Sequence, residues 1–331
     1  MPLNRRIVLA SRPQGEARLE NFRLETVALP PLADGQVLVR NLWLSLDPYM
    51  RMRMNEGRSY AAPQPINEVM IGGTVGEVVE SRHPSYRPGD KVLAMFGWQE
   101  YGISDGSGMR KLPDGPLPLS AYLGTVGMPG VTAWYGLNRI IEPKAGETIL
   151  VSAASGAVGG VVGQLAKLAG CRAVGIAGGP EKCRYVVEEL RFDACIDYKS
   201  EDVAAALARA CPNGIDGYFE NVGGEILNAV LPAMNAHGRI ALCGLIANYE
   251  SEQVPIRQPR WLLVSRLKLQ GFIVSEHMDL WPQALKELAD HVTAGRIRYR
   301  ETVAQGLENA PAAFLGMLKG KNLGKQLVKL V

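Results

Sequence analysis

Apolar and polar positions alternate along the second half of the chain with the periods of strands and helices. Short apolar runs predict six strands, at 148–153, 172–177, 194–198, 215–223, 238–245 and 269–276. Segments with helical periodicity lie between them and predict helices at 180–190, 200–210, 224–235, 260–269 and 280–295. This alternation is typical of a doubly wound parallel sheet, an α/β fold. Such sheets bind ligands at the carboxyl ends of their strands, so the loops that follow the strands form the candidate site.

The first part of the chain has a different pattern. From Asn21 to about Tyr101, alternating residues between Gly- and Pro-containing turns predict a β-rich domain, with no helix longer than a turn or two before Ser120. The tail predicts a helix at 308–319 and a final strand that returns to the first domain. The predicted domains are a β-rich substrate domain over 1–125, a nucleotide-binding domain over 126–295 and a returning segment over 296–331. We expect the cofactor to lie in the cleft between the two domains.

One apolar stretch, from Thr148 to Gly170, allows two interpretations. It carries no charge before Lys167, and the G-x-x-x-G spacing of Gly156 and Gly160 is known from membrane helices. However, the stretch is rich in Gly, Ala, Ser and Val rather than in Leu, Ile and Phe. A short strand followed by A-x-x-G-x-x-G, beginning at Ala153, is typical of a dinucleotide-binding turn. We therefore predict a strand, a tight turn and a helix that receive a pyrophosphate.

The end of the second predicted strand indicates which dinucleotide binds. NAD-binding sites usually place Asp or Glu there for the ribose hydroxyls, but this chain has Gly178 and Gly179. Lys182 and Arg184 follow, and Tyr198 at the end of the third strand can donate a hydrogen bond to the same phosphate. In the alternative interpretation, both cations are solvated helix charges that a neighbouring glutamate partly cancels. The pattern favours NADP(H).

Composition and charge narrow the class of protein. A chain of 331 residues with 47% hydrophobic and 21% charged residues fits two globular domains. A net charge of +3 without a basic run gives no reason to expect nucleic acid or an anionic membrane as partner. The N-terminus lacks the apolar run of a signal peptide. Five scattered cysteines are typical of a reducing compartment, so we expect a cytoplasmic protein without disulfides.

Several motifs together give the chain a family resemblance from end to end. They are LSLDPYMR (44–51), GTVGEVV (73–79), GMPGVTAWYGL (127–137), AASGAVGGVVGQLAK (153–167), YFENVGG (218–224) and NLGKQLV (322–328). With these motifs the chain resembles the zinc-independent medium-chain dehydrogenase/reductases. The branch is that of leukotriene B4 12-hydroxydehydrogenase/15-oxo-prostaglandin 13-reductases, with alkenal/one and curcumin reductases. The resemblance implies a GroES-like N-terminal domain beside the Rossmann domain, and a homodimer that pairs through the strand at 269–276.

The sequence also lacks the ligands that a catalytic zinc ion needs. Where zinc-dependent members of the family carry Gly-His-Glu, this chain reads Gly72, Gly73 and Thr74. No cysteine precedes Cys171, and His83 is the only histidine before His237. A catalytic zinc site needs three protein ligands, so we predict no metal.

A metal-free site suits the reduction of a conjugated C=C bond. Hydride addition to the β-carbon of an enone spreads charge to the carbonyl oxygen, which one hydroxyl donor can stabilise, and water or a tyrosine can protonate the α-carbon. Two alternatives stay open. An NADPH:quinone oxidoreductase has the same fold and cofactor, and a crystallin-like protein would bind NADPH without turnover.

The resemblance assigns residues to each part of the cofactor. The pyrophosphate residues are Ser155, Gly156, Ala157, Val158 and Gly159. The 2′-phosphate residues are Gly178, Lys182 and Tyr198. The nicotinamide side is lined by Asn221, Cys243, Gly244, Tyr249, Phe272, Ile273, Val274 and Asn322.

The substrate end is assigned to tyrosines. Tyr249 is the first choice for the contact to the enone oxygen, and Tyr49 and Tyr60 are the second choices as pocket residues. The chain departs from the family in two places. The pair Arg191–Phe192 stands where relatives often have Gly-Phe, and the segment 248–259 diverges and would shape the pocket.

Overall fold

The computed structural model describes residues 3–249 and 255–331. The chain divides into two compact units. One consists of Met1–Gly124, Glu301–Asn322 and Gln326–Val331, and the other of Thr125–Arg300 and Leu323–Lys325. We call them the first unit and the second unit.

The helices and strands follow one another along the whole chain. The strands are β1 (Leu3–Leu9), β2 (Phe22–Ala28), β3 (Val37–Ser45), β4 (Thr74–Ser81), β5 (Lys91–Ala94), β6 (Tyr101–Ser104), β7 (Arg110–Lys111), β8 (Thr148–Ser152), β9 (Arg172–Ala177), β10 (Ala194–Asp197), β11 (Ile215–Glu220), β12 (Met234–Leu242), β13 (Lys268–Gly271), β14 (Glu301–Gln305) and β15 (Lys325–Lys329). The helices are α1 (Tyr49–Arg53), α2 (Met128–Tyr135), α3 (Gly159–Leu168), α4 (Pro180–Arg184), α5 (Val203–Ala210), α6 (Gly224–Val230), α7 (Arg260–Val264), α8 (Trp281–Thr293) and α9 (Ala310–Leu318).

The first unit is built on a seven-stranded sheet. Its strand order is β14-β15-β3-β4-β5-β7, with β6 paired to β3, while β1 and β2 form a separate antiparallel pair. The last strand, β15, pairs antiparallel with β3, so the chain end returns to this sheet as predicted. Phe22, Trp98 and Phe314 form an aromatic cluster in the core, with ring centroids 5.4–6.2 Å apart. The predicted β-rich N-terminal fold is confirmed.

The second unit contains the predicted parallel sheet. Its strand order is β10-β9-β8-β11-β12-β13, and all five neighbouring pairs are parallel. All five residues of β8 are buried, which explains why this strand reads as a continuous apolar run. The chain order reverses between β8 and β11. This is the switch point at which doubly wound sheets form a crevice for a ligand.

The membrane interpretation of the stretch Thr148–Gly170 is wrong. The stretch folds as β8, a turn and the ten-residue helix α3. In residues 3–249 and 255–331, no helix is both long and apolar enough to cross a bilayer.

Several predicted element ends are also wrong. The strand predicted at 269–276 is β13, which ends at Gly271 and is followed by a 3-10 turn at Val274–Glu276. The helix predicted at 224–235 ends at Val230, because Pro232 follows and Met234 pairs with β11 to begin β12. The helix predicted at 260–269 ends at Val264, since Arg266 adopts a left-handed φ of 48° before β13.

Candidate functional site

A tight turn joins β8 to α3 at the switch point. Ala153 adopts a φ of 50°, and the amide of Gly156 donates to the carbonyl of Ala153 over 2.9 Å. A Cβ atom on Gly159 would lie only 2.4 Å from that same carbonyl oxygen. Glycine at position 159 therefore allows the start of α3 to pack directly on the turn.

The start of α3 presents amides to a ligand. Within residues 3–249 and 255–331, the amides of Ala157 and Val158 donate to no backbone carbonyl. The N-terminus of a ten-residue helix also carries a partial positive charge. This arrangement suits a pyrophosphate, as the motif predicted.

The end of the chain supports this turn from outside. Gly324 forms a parallel bridge with Gly156, and its amide donates to the carbonyl of Ser155 over 3.0 Å. Gly324 has a φ of 73°, and a Cβ atom there would lie 2.0 Å from the carbonyl oxygen of Arg300. Only glycine fits this position, which explains the Gly of the NLGKQLV motif. Sequence reasoning did not reveal this contact, because it joins segments about 170 residues apart.

Gly178 and Tyr198 lie together at the ends of β9 and β10. A Cβ atom on Gly178 would lie 2.8 Å from a ring carbon of Tyr198 and 2.9 Å from its hydroxyl oxygen. The tyrosine ring thus occupies the space that an acidic side chain would take in an NAD-binding site. Because an Asp or Glu at 178 would collide with this ring, the site is shaped for a cofactor that needs no carboxylate there.

Two lysines follow these residues in the chain, Lys182 on α4 and Lys199 directly after Tyr198. Burial lowers the pKa of Lys182 on α4, and the nearby charge of Lys199 lowers it further. A bound phosphate would relieve this repulsion between the two cations, so they favour the 2′-phosphate of NADP. Sequence reasoning missed Lys199. Arg184, which lies on α4 with Lys182, is exposed to solvent.

Asp197 is a second residue that sequence reasoning missed here. This buried carboxylate accepts hydrogen bonds from the amides of Gly179 (2.7 Å) and Lys199 (3.1 Å) and from the hydroxyl of Ser200 (2.9 Å). These bonds, the one from Gly179 most of all, lower the pKa of Asp197. The carboxylate is therefore engaged in holding the two strand-end loops together.

Asn221 lies at the end of β11, next to the turn. Its backbone amide donates to the hydroxyl of Ser152 and its side-chain amide donates to the carbonyl of Ser152, both over 2.8 Å. Fully buried Glu220 accepts hydrogen bonds of 2.6 Å from Ser152, from the hydroxyl of Tyr218 and from the amide of Val222. Burial raises the pKa of Glu220, although these hydrogen bonds act against the shift. The network holds Asn221 in one orientation at the predicted nicotinamide side.

The loop after β12 brings three predicted residues to the same place. The amides of Cys243 and Gly244 both donate to the carbonyl of Glu220, over 2.9 Å and 3.2 Å. A Cβ atom on Gly244 would lie 3.3 Å from the carbonyl oxygen of Asn221 and 3.5 Å from the hydroxyl of Tyr249. The Tyr249 hydroxyl and the Asn221 carbonyl therefore both lie beside Gly244. Burial raises the pKa of Cys243 to about 12, so this thiol stays neutral.

The segment after β13 is held by aromatic packing. Phe272 contacts Tyr135 and Phe219, with ring centroids 5.4 Å and 6.2 Å apart. Ile273 follows in an extended conformation, and the carbonyl of Val274 accepts a hydrogen bond of 3.1 Å from the indole of Trp281. The ring of Phe272 is half-buried and packs against the core of the second unit.

The remaining predicted residues belong to the first unit. Tyr49 begins α1, and burial, with Asp47 and Tyr60 nearby, raises the pKa of its hydroxyl. Tyr60 is 54% exposed. Asn322 is the last residue of the returning segment before Leu323–Lys325. The diverging segment 248–259 is described only in part, because residues 250–254 lie outside the described ranges.

The position at which zinc-dependent relatives carry their ligands is apolar here. A Cβ atom on Gly72 would meet Leu44, Trp98 and Met50 within 3.3 Å. Across residues 3–249 and 255–331, no group of three or more His, Cys, Asp or Glu side chains is placed to hold a metal ion.

Comparisons with known proteins agree with this geometry. Residues 5–112 match the family model described as the N-terminal domain of oxidoreductase, and residues 157–290 match the one described as zinc-binding dehydrogenase. The chain is 50% identical to the NADPH-dependent curcumin reductase of Escherichia coli over 99% of this chain and 97% of that protein. It is 43% identical to the NADP(+)-dependent 2-alkenal reductase of Nicotiana tabacum over 98% and 97%.

A solved structure gives the same result. The crystal structure of CurA from Vibrio vulnificus in complex with NADPH is 48% identical, covers 99% of both chains and superposes with a TM-score of 0.95. The fold, the motifs and these relatives converge. The chain belongs to the zinc-independent medium-chain dehydrogenase/reductases, in the branch that contains the curcumin and alkenal reductases.

Proposed function

We propose that this protein reduces the C=C bond of α,β-unsaturated ketones and aldehydes with NADPH. The observation that carries the proposal is the position of the Tyr249 hydroxyl beside Gly244 and Asn221, at the carboxyl ends of β11 and β12. A hydroxyl there can donate to a substrate carbonyl while the nicotinamide lies against the same strand ends. The names of the relatives, curcumin reductase and 2-alkenal reductase, support the same class of substrate.

The residues present fit NADPH along its whole length. The amides at the start of α3 would bind the pyrophosphate, and Lys182, Lys199 and Tyr198 would bind the 2′-phosphate. Asn221 would meet the nicotinamide carboxamide. Bound NADPH supplies the hydride that adds to the β-carbon of the substrate.

The chain's own contribution to the chemistry is orientation and hydrogen bonding. Tyr249 donates to the carbonyl oxygen and stabilises the negative charge that develops there as the enolate forms. Tyr49 and Tyr60, from the first unit, are candidates for the pocket wall and for the proton that reaches the α-carbon. Since burial raises the pKa of Tyr49, its hydroxyl stays protonated at neutral pH.

The test is to incubate the protein with NADPH and a trans-2-alkenone, follow the loss of NADPH absorbance and identify the product. We expect the saturated ketone, with the carbonyl intact. An allylic alcohol would mean carbonyl reduction and would contradict the proposal. Turnover of quinones without any turnover of alkenones or alkenals would favour the quinone oxidoreductase instead, and NADPH binding without any turnover would favour the crystallin-like role.

We also propose a homodimer that pairs through β13. This strand lies at the edge of the six-stranded sheet, where its outer backbone groups can pair with a second copy. Light scattering of the purified protein tests the dimer, since a monomer at micromolar concentration would contradict it.

We further propose a cytoplasmic location. All five cysteines are free thiols, which supports a reducing compartment.

A further inference from the structure

Two thiols lie in contact beside the proposed 2′-phosphate site. The sulfur atoms of Cys183 and Cys195 are 3.1 Å apart. Cys183 is on α4, which follows β9, and Cys195 is on β10, which pairs with β9. Both residues are half-buried, whereas Cys171 and Cys211 are buried. None of the roles proposed above uses this pair.

The two sulfurs are chemically unequal. The Cys195 thiol donates a hydrogen bond to the sulfur of Cys183. This bond lowers the pKa of Cys183 and raises the pKa of Cys195, which burial raises further. Cys183 is therefore the sulfur that ionises first and is the better nucleophile at neutral pH.

We propose that Cys183 and Cys195 form a dithiol that hydroperoxides oxidise to an intramolecular disulfide, and that this disulfide weakens the binding of NADPH. The Cys183 thiolate attacks the outer oxygen of the hydroperoxide, and the O–O bond breaks to give a sulfenic acid and an alkoxide, which takes a proton from water to become the alcohol. The Cys195 sulfur then attacks the sulfenic sulfur, its proton leaves with the hydroxyl as water, and the S–S bond forms. The two sulfurs lose two electrons, and the peroxide bond gains them.

The effect on NADPH follows from the neighbours of the two cysteines. A disulfide bond is about 2.05 Å long, so the sulfurs must approach each other by about 1 Å. Lys182 directly precedes Cys183 on the five-residue helix α4, so a pull on Cys183 acts on Lys182 through the backbone. Asp197 lies two residues after Cys195, and its carboxylate accepts a hydrogen bond from the amide of Gly179 just before α4. Oxidation therefore shifts the groups that face the 2′-phosphate.

This consequence rests on the 2′-phosphate site proposed above, whereas disulfide formation does not. Charge-assisted hydrogen bonds require short distances, so we expect the affinity for NADPH to fall about tenfold on oxidation. Affinity for NADH, which lacks the 2′-phosphate, should change little.

The first experiment concerns the bond itself. The full-length protein is treated with hydrogen peroxide and analysed by intact mass and peptide mapping. We expect a loss of two hydrogen atoms, a linked peptide that contains Cys183 and Cys195, and reversal by dithiothreitol. Cys183→Ser and Cys195→Ser should not form the linked peptide, whereas the control Cys211→Ala should. Addition of oxygen to single cysteines without a linked peptide would overturn the proposal.

A second measurement uses the unmodified protein, so its result does not depend on whether the cysteine variants fold. Phenylarsine oxide bridges two adjacent thiols, so one molecule should bind per chain and block the formation of the linked peptide. Absence of binding to the reduced protein would contradict an accessible dithiol.

The second experiment measures the dissociation constants of NADPH and NADH for the reduced and oxidised protein. A formed disulfide with unchanged NADPH affinity would overturn the regulatory part of the proposal. Binding of NADPH to the Lys182→Ala variant in its reduced form tests the 2′-phosphate site separately from the dithiol. If this variant binds NADPH normally, the proposed 2′-phosphate site is wrong, while peptide mapping still decides whether the dithiol exists.

Discussion

Replacing Lys182 with alanine should weaken NADPH binding about tenfold and leave NADH binding nearly unchanged. The 2′-phosphate is the only group that distinguishes the two cofactors, and Lys182 lies near Lys199, which directly follows Tyr198 of the Gly178–Tyr198 pair. A charge-assisted hydrogen bond contributes about 1.5–3 kcal/mol, which corresponds to roughly ten- to a hundredfold in affinity. We expect the lower value because Lys199 remains close and keeps part of the positive potential.

The assay compares KM and kcat for both cofactors with one alkenone substrate. KM for NADPH should rise while kcat changes little, since Lys182 contacts no reacting atom. Lys286→Ala is the matched control, because Lys286 is an exposed lysine on α8 that pairs with Asp290 and has no proposed role in the cofactor site. The double variant Lys182→Ala/Lys199→Ala should weaken NADPH binding further. Equal weakening of NADPH and NADH by Lys182→Ala would refute the reasoning and would leave Lys182 as a residue that supports α4.

Four further predictions concern other parts of the molecule. Tyr249→Phe should lower kcat about tenfold with little change in NADPH affinity, since water can replace part of one oxyanion donor; an unchanged kcat in steady-state assays would leave Tyr249 as a packing residue. Gly178→Asp should displace the Tyr198 ring and repel the phosphate, so NADPH titrations should show a loss of more than about tenfold. Arg191→Gly should stabilise the fold by about 0.5–1 kcal/mol in chemical denaturation, because relief of a left-handed residue (about 1–2 kcal/mol) exceeds the entropy cost of glycine. Activity should survive exhaustive dialysis against a chelator, and a stoichiometric zinc required for turnover would contradict the metal-free assignment.

The sheet of the second unit could be predicted from local pattern, but its edge could not. Buried central strands are mainly apolar, so the pattern predicts β8 and β9 to within one residue at each end. The edge strand β13 is only four residues long, and the apolar residues after it pack against Tyr135 and Trp281 rather than continue the ladder. An apolar run does not show by itself whether it continues a strand or packs against side chains of the core.

The substitution at Arg191 shows what a family pattern can and cannot reveal. The family resemblance implies glycine there, and Arg191 adopts a φ of 61°, in the left-handed region that favours glycine. The neighbouring Phe192 is buried in the core of the second unit. The sequence marked the departure without assigning it an effect. The structure shows a strained turn whose expected effect is on stability.

The cofactor site could be predicted only where its residues are local in sequence. The turn after β8 and the missing acid at 178 are local features. Lys199, Asp197 and Gly324 were missed, because their roles depend on which strand ends become neighbours in the sheet. Asp197 illustrates this, since only its hydrogen bonds to Gly179, Lys199 and Ser200 show that it holds two strand-end loops together.

One serine connects the two ends of the proposed cofactor site. Ser152 is the last residue of β8, directly before the proposed pyrophosphate turn. Its hydroxyl accepts a hydrogen bond from the backbone amide of Asn221 at the end of β11, and its carbonyl accepts one from the side-chain amide of Asn221. Because the side-chain amide of Asn221 donates to Ser152, its Oδ1 atom is the acceptor that it can present to a nicotinamide carboxamide. Buried Glu220 accepts from the Ser152 hydroxyl and thereby orients it to receive the Asn221 amide. The switch point between β8 and β11 therefore sets the orientation of Asn221 as well as the position of the proposed pyrophosphate turn.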